Sequence, residues 1–402
     1  VTTADIRQTE ARSFPFGREH VTKLPSIYGQ LRASEPVSAI LLPSGDTGYL
    51  VSRYDDARLV LSDPRFSRAA TIAPGAPRLT PVDFPAGSLF TLDPPEHTRL
   101  RKLVAGAFTE RRVQSLLPRI QQITDELLNA CDTVGEEVEL NQALAFPLPI
   151  MVICELLGVP HEERERFRVW SDAVVSLTAH TADQVVARQR EMAGYMANLI
   201  ERKRVEGGDD LLSALITAHD EQGALGTNEL IVMAMTLLVA GHETTVSMIG
   251  TSVLTLLRHP ETVHRLLEDE GYVAPLVEEL LRLNPIGDGG PLRIALEDVE
   301  MAGVVIPKGS AVMAAIGSAN MDSSRFEQPE ALTAEREVNP HLAFGHGIHR
   351  CLGAALARAE LRIAIRSLFM RFPTLRLAKP IDELRMKPGL LVNSLESLPV
   401  TW

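Results

Sequence analysis

Cysteine is scarce. Only Cys131, Cys154 and Cys351 occur in 402 residues, far apart in the chain. They form no CxxC pair and no disulfide framework, so a reducing cytoplasm is the expected compartment. Basic charge is also in short supply. Forty Lys and Arg face 52 Asp and Glu, a formal net charge of −12. With no overall basic field to neutralise phosphates, the chain does not read as a nucleic-acid binder. The opening VTTADIRQTEARSFPFG lacks the apolar core of a signal peptide. A membrane span is missing too. The nearest candidate, 230–257, has its apolar runs LIVMAMTLLVAG and VSMIGTSVLTLL split by His242, Glu243, Thr244 and Thr245. A span needs about 20 apolar residues, so this stretch reads as a buried helix of a soluble protein without membrane contact. There is no repeat, low-complexity tract or linker.

The elements that are present interleave. Residues 26–34 read as an amphipathic helix, and PVSAILLPSGDTGYLVSR as two strands around a GDTG turn. Asp55–Leu61 reads as a short helix. Residues 67–92, rich in Pro, Gly and Ala, read as a long functional loop. Pro94 opens a helical series at about 94–108, 110–131, 140–157, 162–178, 182–205, 209–220, 228–258, 260–268 and 273–283. Short strands follow, then a helix over 352–371 stopped by Pro373, then a strand-like tail. The expected fold is mainly α with small β-sheets, an α+β class, in one domain over 1–402. Its helix-rich bulk is about 94–283 and 352–372. Its β-rich pieces are about 37–53, 291–318 and 385–402.

The chemistry concentrates in FGHGIHRCLG, residues 344–353. Cys351 sits at the start of a predicted helix, where backbone N–H groups and the helix dipole lower a thiol pKa. Gly345, Gly347 and Gly353 permit close approach by a flat ligand. An anionic sulfur ligand for a metal is one reading. The others are a phosphate loop lacking its third glycine, a zinc site of a hydrolase using His346, His349 and Cys351 at poor spacing, and a plain buried cysteine. The loop alone leaves these open. A second feature is AGHETT, 240–245, a polar break in an apolar helix that is costly if buried without purpose. Ala240 and Gly241 remove bulk, and Glu243 and Thr244 offer an acid and a hydroxyl.

The spacing Phe344, Gly347, Cys351, Gly353 resembles the haem-ligand loop F-x-x-G-x-x-x-C-x-G of the cytochrome P-450 monooxygenases, soluble bacterial type. The resemblance runs from about residue 25 to Trp402. It implies haem b held between the long central helix and the Cys-loop helix, with Cys351 as axial thiolate on iron. It implies haem contacts from Phe344, Gly345, Ala240 and Gly241, and propionate contacts from His97, Arg101, Arg293 and His349. Glu243 and Thr244 would manage protons, while Thr245 packs. Glu279 and Arg282 of EELLR, joined by Arg336, would support the fold. The chain departs from the family at Met321, where arginine is usual, and in PEALTAE, which lacks the usual Phe and Asp. Pocket walls are expected from Phe90, Thr236, Val239, Ala240, Gly289 and Val392. Arg99, Lys102, Arg111, Arg112 and Arg350 would face an acidic ferredoxin, itself reduced by a separate NAD(P)H ferredoxin reductase. The implied activity is a cytoplasmic monooxygenase of secondary-metabolite biosynthesis. It would use dioxygen to hydroxylate, epoxidise or oxidatively couple a small hydrophobic natural-product intermediate. A haem-binding sensor or carrier without oxygenase turnover is the alternative, against which the acid–alcohol pair argues.

Overall fold

The interrupted apolar stretch folds as one unbroken helix, Thr227–Leu256. Glu229 fastens its start by accepting the Gly226 N–H at 2.8 Å. By length and composition it could cross a membrane, but 67% of its most apolar window is buried within the protein. It is apolar on nearly every side because it is covered on nearly every side. Helices Pro147–Leu157, Ala182–Glu206 and Ala354–Arg371 pack on it. The computed structural model describes residues 11–82, 84–131, 137–160, 163–221 and 224–402. Most of the polar leader, residues 1–10, therefore lies outside the described residues.

Beside the helices runs a six-stranded sheet. Its order is Arg12–Ser13, Val37–Leu41, Thr47–Val51, Ala311–Ala314, Arg293–Ala295 and Phe66–Ser67. The GDTG turn does join Val37–Leu41 to Thr47–Val51 as antiparallel neighbours. The edge pairing is short but decisive for the site. Ser67 lies opposite Ile294 and Phe66 opposite Ala295. That antiparallel register carries the next residue, Arg68, toward Arg293.

Three boundaries differ from the sequence reading. The helix expected over 140–157 begins as a π-turn, Asn141–Ala145, before Pro147–Leu157. Pro147 and Pro149 have no N–H to give an earlier turn, so they fit only at the start of a helix. The helix expected over 162–178 ends at Val174. Beyond it, Leu177, Thr178 and Ala179 donate their N–H groups to the carbonyl of Gly389. The tail is the third. Of 385–402, only Pro399–Thr401 is a strand, with isolated bridges from Met386 to Leu395 and from Leu390 to Ser176. Its backbone is spent elsewhere: Leu391 N–H donates to Val175 and Asn393 N–H to Ile286.

Candidate active site

The Cys351 loop is built from backbone. Gly345 and Gly347 have φ of 70° and 72°, the left-handed region that glycine enters freely. A Cβ at Gly347 would lie 2.8 Å from the Leu61 carbonyl oxygen. The turn closes with Cys351 N–H donating to Phe344 O at 2.8 Å and Gly345 N–H to Leu342 O at 2.8 Å. Buried Asn320 accepts the Leu342 N–H at 2.7 Å. The phenyl ring of Phe344 lies under Arg358, 4.4 Å from ring centroid to guanidinium carbon. Glu278 holds that guanidinium through both carboxylate oxygens at 2.7 Å and also reaches His341. Burial alone would raise Glu278, but these partners outweigh it and bring its carboxyl down to about 2.

Cys351 itself is solvent-accessible, although protein surrounds its sulfur at longer range. Burial pushes its thiol up, against the opposing pull of the Gly353 N–H and of Arg101, Arg350 and Arg358. The sequence reading had the helix start lowering this pKa. The lowering contributions are present, and desolvation exceeds them. A bound metal would favour the thiolate here, since coordination removes a thiol proton.

Basic side chains, several of them buried, converge beside the loop. The rings of His97 and His349 lie 4.3 Å apart, and Arg101 donates to the Arg350 carbonyl at 2.6 Å. Arg293 donates to Leu61 O at 3.1 Å. Arg68, also buried, donates to Phe90 O at 2.7 Å and to Leu292 O. Burial, with Arg293 beside it, brings Arg68 down to about 9. Burial likewise lowers Arg293 to about 10, and burial with neighbouring cations lowers His349 to about 2. Nε2 of His97, Nε2 of His349 and Nε of Arg293 are buried without hydrogen-bond partners. Asp93 is the nearby acid, and it accepts from Ser67 and from the Arg68 and Ala69 N–H groups. Two buried guanidinium groups, Arg68 and Arg293, beside two imidazoles fit a dianionic group. The two propionates of haem would meet that requirement, with Cys351 as the candidate sulfur ligand.

A prediction of opposite signs follows. Arg293→Met is expected to weaken haem retention at least about tenfold, by loss of a charge-assisted contact. In haem-free protein the same change removes a buried unpaired cation and should raise stability by about 1 kcal/mol or more. Haem transfer to a scavenger globin and thermal melts of both forms measure the two effects. Destabilised haem-free protein would contradict the assignment.

The long helix carries a different chemistry. Ala240 is exposed, whereas Val239, His242 and Glu243 are buried, and Thr244, one turn on, is partly exposed. The Thr244 hydroxyl donates back to the Ala240 carbonyl at 3.3 Å. Gly241 does not belong to this face. A Cβ there would fall 2.6 Å from Cγ1 of Ile153, so Gly241 lets the Pro147–Leu157 helix pack closely. The expectation that it makes room for haem is corrected accordingly. Glu243 is buried and lines a cavity with Phe146, Arg168 and Lys387. Consecutive residues lie about 100° apart round a helix, so Glu243 flanks the Ala240–Thr244 face.

Other expected wall positions divide. Thr236 Oγ1 lies 3.0 Å from the Ser88 hydroxyl, which fixes the 67–92 loop to the long helix one turn before Ala240. In that loop Phe90 packs on Phe84, with centroids 5.4 Å apart. Val239 and Val392 are buried. The turn carrying Val392 is tied to the long helix by the Ser247 hydroxyl donating to Asn393 O at 2.6 Å. Gly289 abuts Met313, where a Cβ would overlap the thioether, so its missing side chain serves packing. Arg99 is paired with Glu96 and Glu229 and donates to Ala224 O at 2.8 Å. It fastens the Glu96–Ala105 helix to the start of the long helix, whereas Lys102, Arg111, Arg112 and Arg350 are exposed.

Glu279 and Arg282 form a bidentate pair at 2.7 and 2.8 Å, both fully buried, and Arg336 reaches Glu279 at 3.0 Å. Met321 lies at the edge of this group, its sulfur 3.8 Å from Arg282 Nη1. Two site residues escaped the sequence reading, Arg68 and Glu278. Glu278 stands inside EELLR, and its signal was an acidic neighbour to a recognised acid. Arg68 follows a strand of two residues, too short for any periodicity to reveal.

Comparisons with known proteins agree with this geometry. The family model described as Cytochrome P450 matches residues 165–397. Nocardicin C N-oxygenase of Nocardia uniformis subsp. tsuyamanensis is 48% identical, over 99% of this chain and 100% of that protein. Mycinamicin IV hydroxylase/epoxidase of Micromonospora griseorubida is 42% identical, over 99% and 100%. Among solved structures, SgvP, described as a putative thioether synthase involved in the tailoring step of griseoviridin, has a TM-score of 0.94 at 44% identity. It covers 98% of this chain and 100% of its own. A buried cationic site beside an accessible cysteine and near-complete coverage by such relatives lead to one conclusion: the chain belongs to the cytochrome P450 family and is a haem b monooxygenase.

Proposed function

We propose that this monooxygenase inserts oxygen into a small, largely apolar natural-product intermediate, or couples such a molecule oxidatively, with electrons from a ferredoxin and a separate reductase. The single observation that carries the reading is the cluster of buried Arg68, His97 and Arg293 with half-buried His349 beside accessible Cys351. In this reading Cys351 binds iron, Arg101 and the cluster bind the propionates, and Phe344 and Gly345 shape the loop. When bound, haem supplies dioxygen activation and oxygen insertion. Ala240 leaves space on the opposite side, and Phe90, Thr236, Val239 and Val392 border it. Thr244 positions a hydroxyl there, and Glu243 passes protons between that hydroxyl and the cavity beside Arg168 and Lys387.

The relatives support hydroxylation, epoxidation, N-oxygenation and coupling as outcomes, since their names span a hydroxylase/epoxidase, an N-oxygenase and an enzyme with biaryl coupling reactivity. For docking of ferredoxin, exposed Lys102, Arg111, Arg112 and Arg350 offer positive charge around exposed Ile348. A sensor or carrier has no use for a hydroxyl next to a buried acid. The test is a panel of natural-product intermediates screened by spectral shift, then turned over with a surrogate ferredoxin system. Binding ligands are expected to give oxygenated or coupled product. Thr244→Ala should cut product per electron about tenfold while hydrogen peroxide rises. Ligand binding without substrate-dependent NADH consumption would instead favour the sensor.

A further inference from the structure

Resting on the role proposed for Glu243, we infer that His242 and Glu243 hold one proton between them, and that this buried pair is the store from which the Thr244 side is supplied. His242 is fully buried. Its Nδ1 lies 3.0 Å from the Leu238 carbonyl oxygen. That oxygen can only accept, so Nδ1 carries the hydrogen. Nε2 lies 3.2 Å from Glu243 Oε1, at an angle that leaves it without a well-aligned partner. A neutral imidazole and an ionised carboxylate would set two lone pairs against each other out of water, which is costly. One proton on either atom turns the repulsion into a charge-assisted or neutral hydrogen bond. The ring is fixed in place, edge-on to Phe146 at 6.3 Å, with the Arg168 guanidinium 5.5 Å from that phenyl ring.

The pair has an outlet on each side. Going round the helix, Glu243 stands between His242 and Thr244, about 100° from each. Outward, Glu243 lines a cavity of about 20 Å³, room for about one water. The titratable groups around it are Arg168 and Asp172 from the Arg164–Val174 helix and Lys387 and Glu396 from the C-terminal segment. Asp172 Oδ1 is itself buried and unpaired. Burial and the Glu243 charge raise Asp172. Burial raises Glu243 too, but His242, Lys387 and Arg168 outweigh it and leave Glu243 lowered. Two neighbouring carboxyls are thus driven apart, a pattern typical of proton-handling sites. Each proton that leaves Glu243 toward the Thr244 hydroxyl is replaced from His242, and the pair is recharged by a proton from cavity water. His242 acts only through Glu243, so it is a positioning residue.

The test uses the diamagnetic ferrous carbon-monoxide form of the holoprotein. Nitrogen-15 histidine spectra report whether His242 Nε2 carries hydrogen, and carboxyl-labelled glutamate infrared spectra report whether Glu243 is protonated. His242→Phe and Glu243→Gln assign the signals, with His242→Asn as a second variant should the first fold poorly. One proton on the pair at pH 7 is expected, and finding both atoms bare overturns the inference. A turnover arm measures NADH oxidation without added substrate, using surrogate ferredoxin and reductase, in light and heavy water. Here His242→Phe and His242→Asn should each lower the share of oxygen reduced to water about tenfold in favour of hydrogen peroxide. If Glu243→Gln shows that loss and both His242 variants behave as wild type, the inference fails while the role of Glu243 stands. If Glu243→Gln is also unaffected, the role of Glu243 fails.

Discussion

Replacing Cys351 by serine is expected to abolish the sulfur-type carbon-monoxide spectrum while leaving the fold intact. Serine differs from cysteine by one atom and fits the same turn. The bonds that shape the loop are backbone bonds from Phe344 O, Leu342 O and the side chain of Asn320, and none of them uses the thiol. What serine cannot do is offer a soft, readily deprotonated ligand to iron. In the wild-type protein burial opposes the thiolate, so a bound metal would have to supply part of the drive to ionise it. An alcohol, harder to ionise by many orders of magnitude, leaves the proximal position without its anion. Haem content, carbon-monoxide difference spectra and circular dichroism separate the effects. The expected pattern is unchanged helicity, reduced pigment and no sulfur-type band. Wild-type spectra from the serine variant would refute the assignment of the ligand.

How much of this was legible in the sequence depended on distance along the chain. The Cys351 turn is local, and its glycines, cysteine and following helix all fall within a short stretch. The long helix could be read because its apolar pattern is continuous. Gly241 was misread because a missing side chain looks the same whether it admits a ligand or a neighbouring helix. Only the position of Ile153 decides. The thiol pKa was misjudged for a related reason. A helix start can be seen locally, but burial is made by residues from everywhere else. Arg68 stayed hidden because its meaning lies in register. It follows Ser67, which pairs with Ile294 more than two hundred residues later, and that pairing delivers it to Arg293. The tail promised strands on composition alone, and its backbone groups found partners at Val175 and Ile286 instead.

The other large effect is expected at Glu279. Glu279→Ala should leave little folded, pigmented protein, whereas Glu278→Gln should leave a folded variant with a shallower response to acid. The two acids are neighbours with different surroundings. Glu279 is fully buried and accepts from Arg282, Arg336, Asn339 and the Thr333 N–H. Arg282 in turn donates to the carbonyls of Asn320, Pro329 and Ala331. These bonds tie the Val273–Leu283 helix to the segment that leads into the Cys351 loop. Deleting the carboxylate strands two guanidinium groups without a counter-charge, at a cost of about 3–5 kcal/mol. That is a large part of the 5–15 kcal/mol typical of a whole domain. Glu278 is partly exposed, so solvent screens its loss. Its pH signature is distinct. Folding lowers Glu278 from 4.5 to about 2, so its stabilisation is complete above pH 4.5 and fades as pH falls toward 2. Removing it should flatten that part of the acid-denaturation curve and lower the neutral melting point, by less than Glu279→Ala does because solvent screens the pair. Urea midpoints, soluble haem yield and acid titrations of both variants measure these outcomes. A Glu279→Ala protein as stable as wild type would mean that the buried pair does not hold the haem loop in place.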